Sequence, residues 1–179
     1  MCIEIPEKQK EKIVEWINIH RKLTTNIRWV KPETLHLTLK FCGEREKTTT
    51  KKLLQNLEQI KQPKKPIIYI DGIGAFPKMS TPKIIWGGIK GETQELEEIF
   101  KKTEKAAQQA GIERETKPYF PHLTLGRISD YQPLETRILE NINKNDLHTE
   151  PWLIEEIILM KSELLPSGPK YTKLGLFKI

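Results

Sequence analysis

A chain of 179 residues is long enough for one domain with a buried core, and 37% apolar with 30% charged residues is a globular balance. No apolar run approaches the ~20 residues of a membrane helix, the charged N-terminal stretch lacks a signal-peptide core, and two cysteines make neither a disulfide framework nor a metal cluster. The expected setting is the cytoplasm, without a membrane, and the net charge of +6 points to an anionic partner, nucleic acid or a phosphorylated substrate.

The chain opens on a short strand, Cys2 to Ile5, and a helical pattern, Pro6 to Leu23, with Ile13, Ile17 and Leu23 among its apolar positions. Lys31-Pro32 then leads into His36-Leu37-Thr38-Leu39. Proline disfavours helix just before it, so this segment reads as a strand entered from a turn. A helix, Thr48 to Ile60, and a strand, Ile67 to Ile73, follow. Gly72, Gly74, Pro77 and Pro82 interrupt the centre of the chain. Beyond them come a strand, Ile84 to Ile89, and a helix, Glu92 to Ala110, with Leu96, Ile99 and Ala106 on its apolar face and Gly111 as its stop. Lys117-Pro118 introduces a second His122-Leu123-Thr124-Leu125. A helix, Pro133 to Ile142, and strands Leu153 to Leu159 and Tyr171 to Ile179 complete the order. Ser162 to Pro169 reads as a loop at a cleft mouth or as a plain hairpin connection.

The repeat organises these elements. Both copies read Lys-Pro-x-x-x-His-Leu-Thr-Leu, and their histidines, at 36 and 122, are 86 residues apart, close to half the chain. A given histidine is followed by Leu-Thr-Leu by chance roughly once in a thousand cases or fewer. Helices and strands recur at the same offset. The expected fold is α+β and bilobal: two antiparallel sheets related by pseudo-twofold symmetry around a central cleft, with helices outside. Residues 1–179 form a single domain built from a duplicated unit, about 1–82 and 83–179.

Alternation along a strand puts His36 and Thr38 on one face and Leu35, Leu37 and Leu39 on the other. The same holds for His122 and Thr124 against Leu123 and Leu125. The leucines are expected to pack under helices, and the polar pairs to face the groove. Same-face neighbours lie about 7 Å apart, so one phosphoryl group can touch both. Two imidazoles and two hydroxyls around a phosphate suit general acid–base chemistry, one ring neutral and the other protonated, with no metal or other cofactor required. A lone His or Thr on a half-buried strand is usually structural, and it is the matched duplication that argues for a site.

Secondary candidates surround these four. Lys40 shares the His36 face by spacing, to add positive potential or end in solvent. Arg127 lies five residues after His122 and reaches the groove only if a bulge or twist occurs at Gly126. Phe76, after Gly74, is the favoured aromatic to stack a base, ahead of Trp86 and Tyr171, with core packing expected for Trp86. His20 and His148 read as surface residues.

At these residues the sequence resembles the two-histidine (2H) phosphoesterases, above all the RNA 2′,3′-cyclic phosphodiesterases, also called 2′-5′ RNA ligases. Arg28-Trp29-Val30, Lys40-Phe41-Cys42-Gly43-Glu44, Gly74-Ala75-Phe76-Pro77, Pro121, Arg127, and the tail from Lys161-Ser162-Glu163-Leu164 to Gly168-Pro169-Lys170-Tyr171-Thr172 share in the likeness, which spans nearly the whole chain. The resemblance implies metal-independent hydrolysis of a 2′,3′-cyclic phosphate to a 2′-phosphomonoester. By motif position His36 would be the proton donor to the 3′ oxygen and His122 the acceptor from water. Thr38 and Thr124 would hold non-bridging oxygens, and the likeness also favours Arg127 as a phosphate or RNA contact. The implied partner is RNA with 2′,3′-cyclic phosphate ends, tRNA halves or small cyclic nucleotides being candidates, acted on by a monomer. An RNA-end-binding module without turnover and 2′-5′ ligation by the reverse reaction are the alternatives. One departure is visible: the family's Arg-x-Phe-like opening is missing ahead of Met1-Cys2-Ile3-Glu4-Ile5, so either a clipped first strand or a mis-assigned start codon is expected.

Overall fold

Pro6, held extended at φ −62°, separates strand β1 (Cys2–Glu4) from helix α1 (Glu7–Arg21), whose first turn carries Glu7 and whose last carries His20 and Arg21. The computed structural model describes residues 1–23, 25–62, 64–128, 134–144, 146–165 and 168–179. Strand β2 (Ile27–Trp29) follows, then a 3-10 turn at Pro32–Thr34 and β3 (His36–Thr38). Helix α2 (Lys47–Leu57), β4 (Ile67–Phe76), β5 (Ile84–Gly91), helix α3 (Thr93–Gln109) and β6 (His122–Ile128) come next. Helix α4 (Thr136–Lys144), β7 (Trp152–Leu153), β8 (Glu156–Leu165) and β9 (Gly168–Lys178) complete the order. The expected start of the α4 helix at Pro133 lies outside the described residues. So do Pro166 and Ser167, but Leu165 pairs with Gly168, so the tail is a hairpin.

Two antiparallel sheets form, as expected. One has the order β3-β1-β8-β9 and the other β2-β6-β5-β4-β7. Each sheet takes strands from both sides of the expected boundary near residue 82: β8 and β9 complete the sheet of β1 and β3, while β4 lies beside β5. Which strands share a sheet was not read from the sequence. The short β2 was not anticipated either. Three residues show no periodicity, and β2 exists through its partner β6, which is remote in sequence. Short as it is, β1 pairs on both sides, with β3 and β8.

The core is continuous across the two sheets. Leu37, Leu123 and Leu125 are fully enclosed, and Leu35 and Leu39 nearly so, in one cluster with Ile13 and Ile17 of α1 and Leu96 and Ile99 of α3. The leucines of both repeats thus anchor their strands, as alternation predicted. No helix among the described residues is long and apolar enough to cross a membrane.

Candidate active site

Anchoring the leucines inward turns the alternate residues outward. His36, Thr38, His122 and Thr124 are all half-buried beside their enclosed neighbours. Strands β3 and β6 belong to different sheets, yet they approach within 8 Å between Cα atoms. A direct link joins them: Val30, just after β2, donates its backbone N–H to the Leu125 carbonyl at 2.9 Å. The lead-in to the first motif is thereby hydrogen-bonded to the strand of the second.

Both imidazoles are held in the same way. The His36 Nδ1 lies 2.7 Å from the Thr34 carbonyl, and the His122 Nδ1 lies 2.8 Å from the Phe120 carbonyl. A carbonyl only accepts, so each Nδ1 carries the proton that it donates. Each Nε2 is then the atom that gains or loses a proton, and among the described residues neither Nε2 has a partner. The Thr38 and Thr124 hydroxyls likewise have none among the described residues. Burial lowers the pKa of His36; its bond to the Thr34 carbonyl opposes that shift, and the N-terminal ammonium adds to it.

Different aromatic residues flank the two rings. Tyr171 of β9 meets His36 edge to face at 5.3 Å. His122 lies against Phe76 at 5.0 Å and Trp86 at 6.4 Å, and Phe76 and Trp86 are themselves in contact at 5.3 Å. Phe120, 51% exposed, packs on both at 5.7 and 5.2 Å. Sequence reasoning missed Phe120 and assigned Trp86 to the core. The available signals were Phe120's place two residues before His122, matching Thr34 before His36, and Gly74 on the neighbouring strand. A Cβ at Gly74 would lie 2.1 Å from the Trp86 indole, so only glycine lets that ring lie across β4. A cavity of about 460 Å³ adjoins this cluster, lined by Trp86, Gly88, Asp71, Gln94, Phe120 and Pro121; His36, Thr38, His122 and Thr124 are not among its lining residues.

Arg127 meets the condition set for it. In the β5–β6 ladder Ile84 pairs with Arg127, Ile85 with Gly126 and Trp86 with Thr124, so Leu125 is the extra residue of a bulge. Ile84 and Trp86 share a face of β5, and their partners share it too. The bulge therefore returns Arg127 to the face of Thr124 and His122.

Lys40 does not stand where spacing put it. Both Leu39 and Lys40 donate N–H groups to the Met1 carbonyl, which ends regular alternation after Thr38. The Lys40 side chain turns inward, the residue only 6% exposed, and its ammonium meets Glu104 of α3 at 2.8 Å and the Glu113 carbonyl at 2.8 Å. It is a buried ion pair, neither a groove cation nor a solvated one. His20 is corrected as well. It is buried, stacked on Trp16 at 3.9 Å, with its Nδ1 2.8 Å from the Trp16 carbonyl. His148 is exposed, as expected, and pairs with Asp71 at 3.1 Å. Among the described residues no three His, Cys, Asp or Glu side chains are grouped to hold a metal ion.

The LigT like Phosphoesterase family model matches residues 3–86 and again 88–171. An RNA 2′,3′-cyclic phosphodiesterase of Methanocaldococcus jannaschii is 34% identical over 172 residues, covering 96% of this chain and 94% of that protein. One of the same name from Archaeoglobus fulgidus is 28% identical over 181 residues, covering 99% and 98%. Among solved structures, TT0787 of Thermus thermophilus matches with a TM-score of 0.80 at 25% identity, covering 99% and 94%. E. coli LigT complexed with 3′-AMP matches with a TM-score of 0.77 at 23% identity, covering 99% and 95%, a likeness of fold.

Proposed function

The chain belongs to the LigT-like phosphoesterase family and is an enzyme of that class, and on that footing we propose that it hydrolyses RNA 2′,3′-cyclic phosphate ends to 2′-phosphomonoesters without a metal ion. The observation that carries this reading is the matched pair of imidazoles. Each donates Nδ1–H to a carbonyl two residues upstream, and among the described residues neither Nε2 has a partner, nor has the threonine hydroxyl on the same face of each strand.

In the reaction so read, His122 Nε2 takes a proton from water as its oxygen bonds to phosphorus. The bond from phosphorus to the 3′ oxygen breaks, and the released pair accepts the Nε2 proton of His36. The 3′ hydroxyl is free, the phosphate stays on the 2′ oxygen, and one water has been consumed. Thr38 and Thr124 donate to the non-bridging oxygens, where charge develops. Arg127 holds RNA phosphate from the same face, and the Phe76, Trp86 and Phe120 cluster offers a stacking surface for the terminal base. Lys40 drops out as a substrate contact because its charge is spent on Glu104.

The test is an oligoribonucleotide with a 2′,3′-cyclic phosphate end, incubated with and without chelator, its product identified by mass spectrometry and NMR. A 2′-phosphomonoester, formed equally in chelator, is expected, and His36→Ala and His122→Ala should each lower kcat by about 10²–10⁴-fold. Loss of activity on chelation overturns the metal-free reaction. Full activity in either variant overturns the paired-histidine mechanism. Tight binding with no product makes the protein an end-binding module.

A further inference from the structure

The cavity beside Trp86 and Phe120 takes no part in the reaction proposed above. Strand β5 shows where it lies. Ile85 and Ile89 are buried in the core, so Trp86, Gly88 and Lys90 take the other face. Trp86 pairs with Thr124 and Gly88 with His122, which makes this the groove face. Arg127, opposite Ile84, stands one row beyond Thr124 at one end, within the reach of the reacting phosphate. The cavity opens at the other end. Gly88, in the row of His122, lines it, and so do Lys90, one row further on, and Phe120, just before His122.

Its volume of about 460 Å³ lies within the ~300–1,000 Å³ of small-molecule pockets. Trp86 and Phe120, edge to face at 5.2 Å, give it aromatic walls on which a base can stack. Among the described residues its charged lining is Asp71 and Glu97 against Lys90, a balance that disfavours a phosphate. The Gln94 amide, which both donates and accepts, has no partner among the described residues. Such a lining suits a neutral, flat heterocycle with polar edges, a nucleobase.

The direction of attack decides which nucleoside. Attacking and leaving oxygens stand in line on opposite sides of phosphorus. In the reaction proposed above His36 serves the leaving 3′ oxygen and His122 the attacking one. The terminal ribose therefore lies toward His36 and the sheet of β3, and the nucleophile comes from the side of His122, in the other sheet. The cavity is on that second side. Phe76 does not line it, so a terminal base stacked on Phe76 leaves it open.

We propose that the cavity is an acceptor subsite, seating the base of a ribonucleoside whose 5′ hydroxyl takes the place of water. This rests on the cyclic-phosphodiesterase reading, adds a second substrate class to it, and names residues outside both motifs that favour an alcohol over water. The 5′ hydroxyl gives its proton to His122 Nε2 as its oxygen bonds to phosphorus. The bond from phosphorus to the 3′ oxygen breaks, and the released pair takes the Nε2 proton of His36. The product is a 2′–5′ diester with a free 3′ hydroxyl, and no water is consumed.

The test incubates the protein and cytidine 2′,3′-cyclic phosphate with adenosine, 5′-deoxyadenosine or glycerol at equal concentration, the products being identified by mass spectrometry and NMR. Adenosine should yield the 2′–5′ cytidine–adenosine diester. Its ratio to the hydrolysis product should exceed that of the glycerol diester at least about tenfold, because stacking holds the acceptor. 5′-Deoxyadenosine, which has the base without the nucleophile, should form no diester and should lower the yield from adenosine. Gln94→Trp, at an exposed position in the first turn of α3, fills the cavity and should bring the adenosine ratio down to the glycerol level. An adenosine ratio no better than that of glycerol, or one not lowered by Gln94→Trp, overturns the subsite. If the protein hydrolyses no cyclic phosphate, the cyclic-phosphodiesterase reading fails. NMR of the nitrogen-15-labelled protein in inorganic phosphate still decides the subsite: adenosine must shift the Gln94 side-chain amide and the Trp86 indole N–H, and an unmoved Gln94 signal overturns it.

Discussion

Burial pulls the His36 pKa below the ordinary 6.5 of an imidazole, against the pull of its bond to the Thr34 carbonyl. In the proposed reaction His36 gives its proton as the imidazolium, a form that a lowered pKa makes scarcer near neutral pH in the free protein. A phosphate anion held beside the ring favours the charged form and moves the pKa back up. NMR titration of the free protein should therefore place His36 below 6.5, and inorganic phosphate should raise it. In kinetics, the limb that reports loss of the His36 proton should lie at lower pH in kcat/KM than in kcat. A free-protein His36 titrating above 6.5 would refute the burial argument. At this scale much was legible in advance. Alternation sorted His36, Thr38, His122 and Thr124 from the five leucines because both strands have one face in the core. It misplaced Lys40, since the strand ends at Thr38 and a lysine stem is long enough to turn inward toward Glu104.

Strand β6 shows what an element adds to its residues. Its bulge at Leu125 carries Arg127 to the groove face, and Gly126 makes room for it. A Cβ at Gly126 would come within 2.6 Å of Ile27 and 3.0 Å of Trp29, whose side chains pack over it from β2. Gly126→Val should cost about 1–3 kcal/mol, seen as an earlier urea midpoint, and should weaken oligonucleotide binding by shifting Arg127. An unchanged midpoint would mean that β2 yields to the new side chain and that the packing argument is wrong. The need for a bulge was readable from the odd spacing of His122 and Arg127. Its location was not, because a bulge is defined by the partner strand β5, far away in sequence.

The whole molecule is closed by contacts between its halves. The sheet of β1 and β3 is completed by β8 and β9, and the sheet of β5 and β6 by β4 and β2. Lys40, at the end of the first motif, binds Glu104 of α3 and the Glu113 carbonyl, while Glu104 accepts the Glu115 N–H at 2.9 Å. This buried knot ties the first motif to the segment that leads into the second. Lys40→Ala leaves Glu104 buried without its counter-charge and should cost about 3–5 kcal/mol. Calorimetry should show it as a lower melting temperature within one cooperative transition. A variant as stable as the parent would show that the pair is not needed, and two separate transitions would show that the halves fold independently.

Taken alone, the amino-acid sequence determined the α+β class, the two His-Leu-Thr-Leu strands, and which side of each strand is polar. Those properties follow from local periodicity and from a repeat that one sequence displays by itself. The tertiary structure decided the rest. It set the mixing of strands between sheets, the meeting of β3 with β6, the aromatic residues beside each imidazole and the inward turn of Lys40. Each of these depends on the register between segments remote in sequence, and register is fixed by how the whole core packs.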